Sequence, residues 1–521
     1  MTYLLVFLCG IFTSLPLILD FLAFLPWFSL IPLFWIAEKK KSAYRHGLVF
    51  SLGYYGGLYY WFTYLYPLDF AGFSKSTSIL LIIVAWLGLS LLQGLGTAFI
   101  PFIYRKFFFS NKPFLAPITA ASLWCVREWL QTKFWFGVPW GRLAVTQYKV
   151  LPAIQSASLF GSLFISFLIV LVNCLLLVAL KKFKENKTIH VSAYIAAVLV
   201  LFNFGFGFIR LSVDSKKSSG RTIKAACIQG NIASGDKWAD DSLSTSLKIY
   251  SELSEKAAND TGATLIVWPE TVITVSISDN LYVKNKISEL SNKLSAYIAV
   301  GAFHTEKDVE NNEHTYNSIY LFHPDGTVNK SVYCKRRLVP FGEFLPMPSL
   351  IKTVFPFLAE MNMFDDNLSA GDGPSLFETE LGNIGGLICF DSIYETLTLD
   401  SVRAGAELII LSTNDSWYLD SAAVFQHNGH AVLRAVESGK CLVRAANTGI
   451  SSLISEKGEI KAFLEPLVSG YVSEEVRLNS ERTLYSFVGN IIVLISVAYL
   501  LVLAFFKVRL TLICKKISDC H

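Results

Sequence analysis

The sequence predicts two kinds of structure in one chain: an integral membrane α-helical bundle of about eight transmembrane helices, and an exoplasmic α/β domain of alternating strands and helices. Three observations predict it. Hydrophobic residues fill 53% of the 521 positions and charged residues only 17%, against about 25% charged in ordinary soluble domains, a surplus beyond what one soluble core buries. Apolar runs of spanning length occupy 1–211 and return after 485, separated by short basic loops. From 212 to 485 the composition turns polar and mixed, with Gly, Asn and Asp turn signals around short β-branched runs. This excludes a disordered or fibrous chain. A net charge of +4 over 521 residues also excludes the concentrated basic face that nucleic acid requires. Membrane and small molecules remain as partners.

Seven candidate spans lie near 3–19, 20–37, 47–66, 79–103, 113–130, 157–180 and 190–210, and an eighth near 486–506. A bilayer core of ~30 Å takes roughly 20 residues of helix, with a range of about 17 to 25. Cations then set the orientation. Lys39, Lys40, Lys41 and Arg45 follow the second span; Arg105, Lys106 and Lys112 the fourth; Lys181, Lys182, Lys184 and Lys187 the sixth; Lys507, Arg509, Lys515 and Lys516 the eighth. Because cytoplasmic loops collect Lys and Arg, both termini are expected in the cytoplasm and the polar domain outside. Opposite loops carry only Lys75, and then Lys133, Arg142 and Lys149. Asp20 alone separates the first two spans, so reading them as one would reverse the side of the domain. No basic stretch opens Met1–Leu8, so no cleavable signal peptide is expected. Arg127 and Glu128, in or near the fifth span, should face protein or water. Trp135, Phe136, Trp140 and Tyr59, Tyr60, Trp61 read as interfacial belts.

Nine cysteines suggest neither a disulfide framework nor zinc: Cys227, Cys334, Cys389 and Cys441 of the outer domain are widely spaced, with no C-x-x-C pair. Strands are expected at Ile223–Ile228, Thr264–Trp268, Tyr297–Phe303, Ser318–Phe322, Thr327–Tyr333, Gly385–Phe390, Leu408–Ser412 and Cys441–Ala446. Helices are expected at Ser242–Ala258, Leu281–Ser295, Tyr394–Ala404 and Ala422–Ser438, an alternation that argues for sheets covered by helices. His323-Pro324-Asp325-Gly326 is good hairpin chemistry.

Three strand ends carry reactive side chains: Glu270 after Trp268-Pro269, Lys335 in Tyr333-Cys334-Lys335-Arg336-Arg337, and Cys389 in Ile388-Cys389-Phe390-Asp391. Each alone has a plainer explanation: a loop carboxylate, a solvated basic edge, a buried inert thiol. Together they form a chemical unit. A thiol attacks a carbonyl only as thiolate and needs a base, which a carboxylate with proton affinity raised by desolvation supplies. A fixed ammonium then balances the oxyanion.

Glu, Lys and Cys in this order, within WPE, K-x-x-L-V-P-F-G-E and a strand-ending cysteine, resemble the nitrilase, or carbon-nitrogen hydrolase, superfamily. Seven spans, an exoplasmic domain and one final span are similar in layout to the apolipoprotein N-acyltransferase family, and Asn414-Asp415-Ser416-Trp417 is a further match. The resemblance implies a nitrilase-like αββα sandwich at 212–485, a membrane domain at 1–211, and a final helix with a basic tail at 486–521. It implies catalytic Glu270, Lys335 and Cys389, supporting Glu343, Phe390 and Asp391, and substrate-side Trp238 and Trp417. Phe390 and Asp391 depart from the family's usual tyrosine and glutamate, removing a phenol and shortening the carboxylate's reach. The implied activity moves an acyl chain from a phospholipid, through a thioester on Cys389, to the α-amino group of a diacylglyceryl-modified N-terminal cysteine. It would act in the bacterial cytoplasmic (inner) membrane, with the catalytic domain on the periplasmic side, and with no cofactor and no metal. Alternative readings are a membrane-tethered amidase and a non-catalytic envelope protein. His427 and His430 share a helix face without a third ligand and read as polar packing; Arg434 and Glu437 read as a local ion pair.

Overall fold

The structure, a computed structural model, describes residues 1–68, 72–108, 114–134, 137–213, 220–238, 241–354 and 368–518. It divides into two compact units, one of Met1–Tyr60, Ala85–Arg210 and Val488–His521, the other of Trp61–Val84 and Leu211–Phe487.

The first unit is helical. Among the described residues, four segments are long and apolar enough to cross a membrane: Asp20–Lys39, Lys75–Phe107, Ser162–Asn186 and Val191–Ser212. Thr2–Leu17 and Ile491–Lys507 are shorter apolar helices. Burial ranks them: 72% of the apolar window of Ser162–Asn186 is enclosed by protein, against 22% for Lys75–Phe107 and for Val191–Ser212. The first is therefore the bundle's central helix and the other two present most of their surface outward. The span expected at 20–37 is not one continuous helix; it runs through short turns at Asp20–Leu22 and Leu25–Trp27 before a helix at Ile31–Lys39. Pro26 and Pro32 break the backbone ladder, since proline has no N–H to give. Asn173 of the central helix repairs the gap, its amide donating to Pro26 O (2.8 Å) and accepting from Leu30 N (2.9 Å), as apolar surroundings demand. The ends of three predicted spans meet where Glu38 pairs with Lys181 (2.7 Å) and accepts from the Tyr104 hydroxyl (2.8 Å). Lys507 Nζ donates to Lys106 O at 3.1 Å.

The aromatic belts are only partly as expected. Tyr59 and Trp140 are buried, and Trp61 packs edge-on against Tyr418. The Tyr55 ring stacks on Tyr59 and the Phe62 ring on Trp61. Trp135 and Phe136 lie outside the described residues.

The second unit holds two sheets. Its strands are β1 (Gly220–Gln229), β2 (Leu265–Val267), β3 (Ile273–Ser276), β4 (Tyr297–Lys307), β5 (Glu313–Phe322), β6 (Tyr333–Cys334), β7 (Leu376–Thr379), β8 (Gly382–Ile388), β9 (Leu408–Thr413), β10 (Leu442–Ala446), β11 (Ser451–Ile454), β12 (Ile460–Leu464) and β13 (Gly470–Asn479). One sheet runs β13-β1-β2-β4-β5-β6 with β3 on β4; the other runs β12-β11-β10-β9-β8-β7. Alternate residues of each strand face the opposite sheet: Ala225 and Cys227, Leu265 and Val267, Ile384 and Ile388, Leu408 and Ile410, Val443 and Ala445 share one core. The reverse face of the first sheet, with Ile266, Trp268, Ile298 and Val300, buries Tyr250, Val283 and Ile287 of the Ser242–Thr261 and Leu281–Leu294 helices. Helices Glu395–Ala404 and Ala422–Ser438 follow β8 and β9. The strand expected at Thr327–Tyr333 shrinks to β6 and a single Phe322–Val328 bridge. Asn329 N still donates to Leu321 O at 2.8 Å, while its side chain donates to Glu378 O and accepts from Ser331 N, so the pairing stays local rather than running as a continuous ladder. The strand expected through Phe390 ends at Ile388, where Cys389–Ile393 coils into a 3₁₀ turn.

Candidate active site

Strand ends on both sheets converge on one cluster. Glu270 follows β2, Lys335 follows β6, and Cys389 follows β8. Gly301 on β4 lets the Glu270 loop lie against the sheet, because a Cβ there would overlap the Pro269 carbonyl. Lys335 is 1% exposed, and its Nζ donates to Glu270 Oε1 and to Glu343 Oε1, both at 2.8 Å. Every carboxylate oxygen is engaged. Asn317 Nδ2 donates to the same two oxygens (2.7 and 3.0 Å), Asn414 N to Glu270 Oε2 (3.0 Å) and Val339 N to Glu343 Oε2 (2.8 Å).

Electrostatics follow from this geometry. Burial pushes the Glu270 carboxyl up, but the Lys335 ammonium, Lys237 and the Asn317 amide outweigh it and hold the group below its usual value. The raised proton affinity expected of an isolated desolvated carboxylate is therefore overturned: the buried cation stabilises the charged form more than burial penalises it. Burial lowers Lys335, yet Glu270, Glu343 and Cys389 carry it well above the ordinary lysine value, so it stays an ammonium. Cys389 is half-buried. Burial and the charge of Glu270 push its thiol well up, against the pull of Lys335. At rest the site thus holds a thiol beside a charged carboxylate–ammonium pair.

The nucleophile candidate sits on strained backbone, at φ +47°. Its carbonyl accepts from Ser392 Oγ (2.8 Å) and lies 3.1 Å from His427 Nε2. His427 Nδ1 is 2.8 Å from Asp415 Oδ1, and Arg444 Nη2 donates to Asp415 Oδ2 at 2.6 Å. Despite its burial, Asp415 is held well below the ordinary range by Arg444 and His427. Ligand atoms of Cys389, Asp415 and His427 come within 4.8 Å of one another. Asp415 and His427 are already engaged, however, and the Arg444 guanidinium occupies a position facing Asp415 where a metal would meet a like charge. The trio fits a clamp on the Cys389 turn better than a metal site.

Asp391, fully buried, accepts from the Tyr333 hydroxyl (2.9 Å), Arg337 N (2.8 Å) and Ile388 N (3.1 Å). Burial still raises its carboxyl to about 6. The hydroxyl on Asp391 thus comes from Tyr333 on the other sheet, while Phe390 packs edge-on against Tyr394. Trp417 is half-buried in the turn after β9, and the Arg434–Glu437 pair forms at 2.7 Å. Trp238 ends a turn at Asp236–Trp238, and its side chain lies outside the described residues.

Sequence reading missed Asn317, Lys237 and the Asp415–His427–Arg444 network. Lys237, beside Trp238, is buried with Nζ bonded to Thr271 Oγ1; burial lowers it to about 8 despite the pull of Glu270. No local pattern marks Asn317, which reaches the site only because β5 pairs with β6. Asn317→Ala removes a donor shared by two buried carboxylates and should cost ~1.5–3 kcal/mol of stability, read as a lower thermal midpoint; an unchanged midpoint would show that Lys335 alone suffices.

A family model described as carbon-nitrogen hydrolase matches residues 224–485, and one described as apolipoprotein N-acyltransferase N-terminal domain matches residues 9–175. An apolipoprotein N-acyltransferase of Geobacter metallireducens is 32% identical over 496 residues, covering 94% of this chain and 92% of that protein. One from Wigglesworthia glossinidia brevipalpis is 28% identical over 478 residues, covering 89% of each. A solved structure of a nitrilase-superfamily member from Saccharomyces cerevisiae is 20% identical, with a TM-score of 0.38, covering 51% of this chain and 93% of that one.

Proposed function

This chain belongs to the apolipoprotein N-acyltransferase family, and from that premise we propose an acyl transfer in two halves on Cys389. In the first half Glu270 takes the thiol proton as sulfur attacks an ester carbonyl of a phospholipid. Lys335 balances the oxyanion, the ester C–O bond breaks, and the proton passes to the departing lysophospholipid oxygen. In the second half the α-amino group of a diacylglyceryl-cysteinyl lipoprotein attacks the thioester. Glu270 accepts the amine proton, the C–S bond breaks, and that proton returns to sulfur. One observation carries the reading: an ammonium held at 2.8 Å by each of two buried carboxylates, within electrostatic reach of a half-buried thiol. Glu343 and Asn317 keep Lys335 and Glu270 aligned, Phe390 and Asp391 shape the turn behind the sulfur, and Trp238 and Trp417 lie on the substrate side.

The membrane setting follows. We assign a membrane domain at 1–211 and a final helix at 486–521 around the catalytic domain at 212–485, with eight crossings in the bacterial inner membrane. The bonds joining the ends of the second, fourth, sixth and eighth runs support one basic, cytoplasmic face, which leaves the catalytic domain periplasmic. Both substrates carry acyl chains, and extracting them into water would cost about 0.8 kcal/mol per CH₂.

Purified protein incubated with phospholipid alone should gain one acyl group by intact mass, labile to hydroxylamine. A diacylglyceryl-cysteinyl peptide should then discharge it and become N-acylated. Discharge to water as fast as to the peptide would instead identify a hydrolase.

A further inference from the structure

We infer that the membrane unit carries its own phospholipid-binding cleft, between the Lys75–Phe108 and Leu115–Leu130 helices, with Arg127 and Gln131 as its polar head. The cleft measures about 350 Å³, within the range of small-molecule sites. Its polar end is built from buried amides. Arg127 Nη2 donates to Gln93 O (2.7 Å) and Gln93 Oε1 (2.9 Å), and Gln131 Nε2 donates to the same Oε1 (2.8 Å). The Tyr55 ring lies 5.1 Å from the guanidinium.

Two features call for a ligand. Arg127 has no carboxylate partner among the described residues. The adjacent acid, Glu128, turns away to accept from Trp124 Nε1 and Leu143 N, both at 2.9 Å. A cation in an apolar helix without an anion is costly, and a phosphodiester would supply the missing charge. Independently, Gln131 is 5% exposed and lines the cleft, yet its Oε1 has no hydrogen-bond partner. A headgroup N–H or O–H fits that acceptor.

The rest of the cleft is apolar. Leu92, Phe99, Ile100, Ile103 and Leu130 line it, and Leu92, Phe99 and Leu130 are exposed. From Gln93 to Ile103 the helix runs ~15 Å at 1.5 Å per residue, a track for an acyl chain. Cation and acceptor at one end with an apolar track at the other match one class of molecule, a phospholipid whose headgroup bears a hydrogen-bond donor. The inference needs only the membrane unit and is independent of acyl transfer, so a Cys389→Ala protein should bind the lipid normally.

The test is native mass spectrometry of delipidated full-length Cys389→Ala protein titrated with phosphatidylethanolamine, and with diacylglycerol of the same chains. Phosphatidylethanolamine should bind at least about tenfold tighter, and inorganic phosphate should not displace it. Arg127→Gln should lose about tenfold in affinity while Arg127→Lys retains most of it. A Cβ at Gly96 would sit 3.7 Å from Arg127 Nε, so Gly96→Leu enters the cleft without a backbone clash and should also exclude the lipid. Equal binding by Arg127→Gln, Gly96→Leu and their parent, equal binding of the two lipids, or displacement by phosphate would overturn the inference.

Discussion

Alanine at Cys389 is expected to lower N-acylation by at least roughly 10⁴-fold, because losing a nucleophile leaves only the binding and charge-stabilising parts of a site. The acyl adduct seen by intact mass should vanish with it. Removal of Sγ relieves no core contact that the fold needs: Cys389 is half-buried at the edge of the inter-sheet core, and its carbonyl, not its sulfur, is what Ser392 and His427 hold. The variant should therefore keep its thermal midpoint to within about 1 kcal/mol of stability. Normal transfer by this protein would remove Cys389 from the reaction altogether.

Methionine at Lys335 should do two separable things. It strips the oxyanion of its counter-charge, for which losses of about 10²–10³ in rate are typical. It also strands two buried carboxylates whose Oε1 atoms Lys335 Nζ now binds at 2.8 Å each, and breaking such a buried pair costs ~3–5 kcal/mol. Lys237 does not replace it, since its Nζ bonds to Thr271 Oγ1 and the Glu270 backbone carbonyl. The pH dependence has opposite signs in the two proteins. In the wild type, Glu270 is held below its ordinary value, so its contribution is present above about pH 4.3 and is lost as pH falls through the folded value. In Lys335→Met, burial is left without its main opposing charge and raises the Glu270 carboxyl in the fold. Stability is then greatest below about pH 4.3 and falls as pH rises through the raised value. Thermal unfolding in detergent should accordingly find the variant more stable at pH 5 than at pH 8. A variant with the wild type's pH slope would refute the buried charge cluster.

Legibility differed by element for physical reasons. The Ala422–Ser438 helix matches its expected ends because capping is local: Ser421 Oγ accepts from Ala423 N and Gly439 closes the helix at φ +67°. The 20–37 span was legible as a long apolar segment, but its interruption was not, because mean apolarity does not register what Pro26 and Pro32 do to the backbone, and its partner, Asn173, lies far along the chain. Glu270, Lys335, Glu343 and Cys389 stood out in the text through their motifs. His427 read as polar packing because its partners, Asp415 and Arg444, lie on different elements.

By itself the sequence determined the apolar character of 1–211 and of the run after 485 and the strand–helix alternation of 212–485, because these depend on composition and local periodicity, while its motifs, through the family they resemble, pointed to the candidate residues Glu270, Lys335 and Cys389. Only the tertiary structure decided that Glu270 rests as a low-affinity carboxylate rather than a raised one. The sign of that shift is the difference between burial and the pull of Lys335, Lys237 and Asn317, and only folding brings those groups within a few ångströms of it.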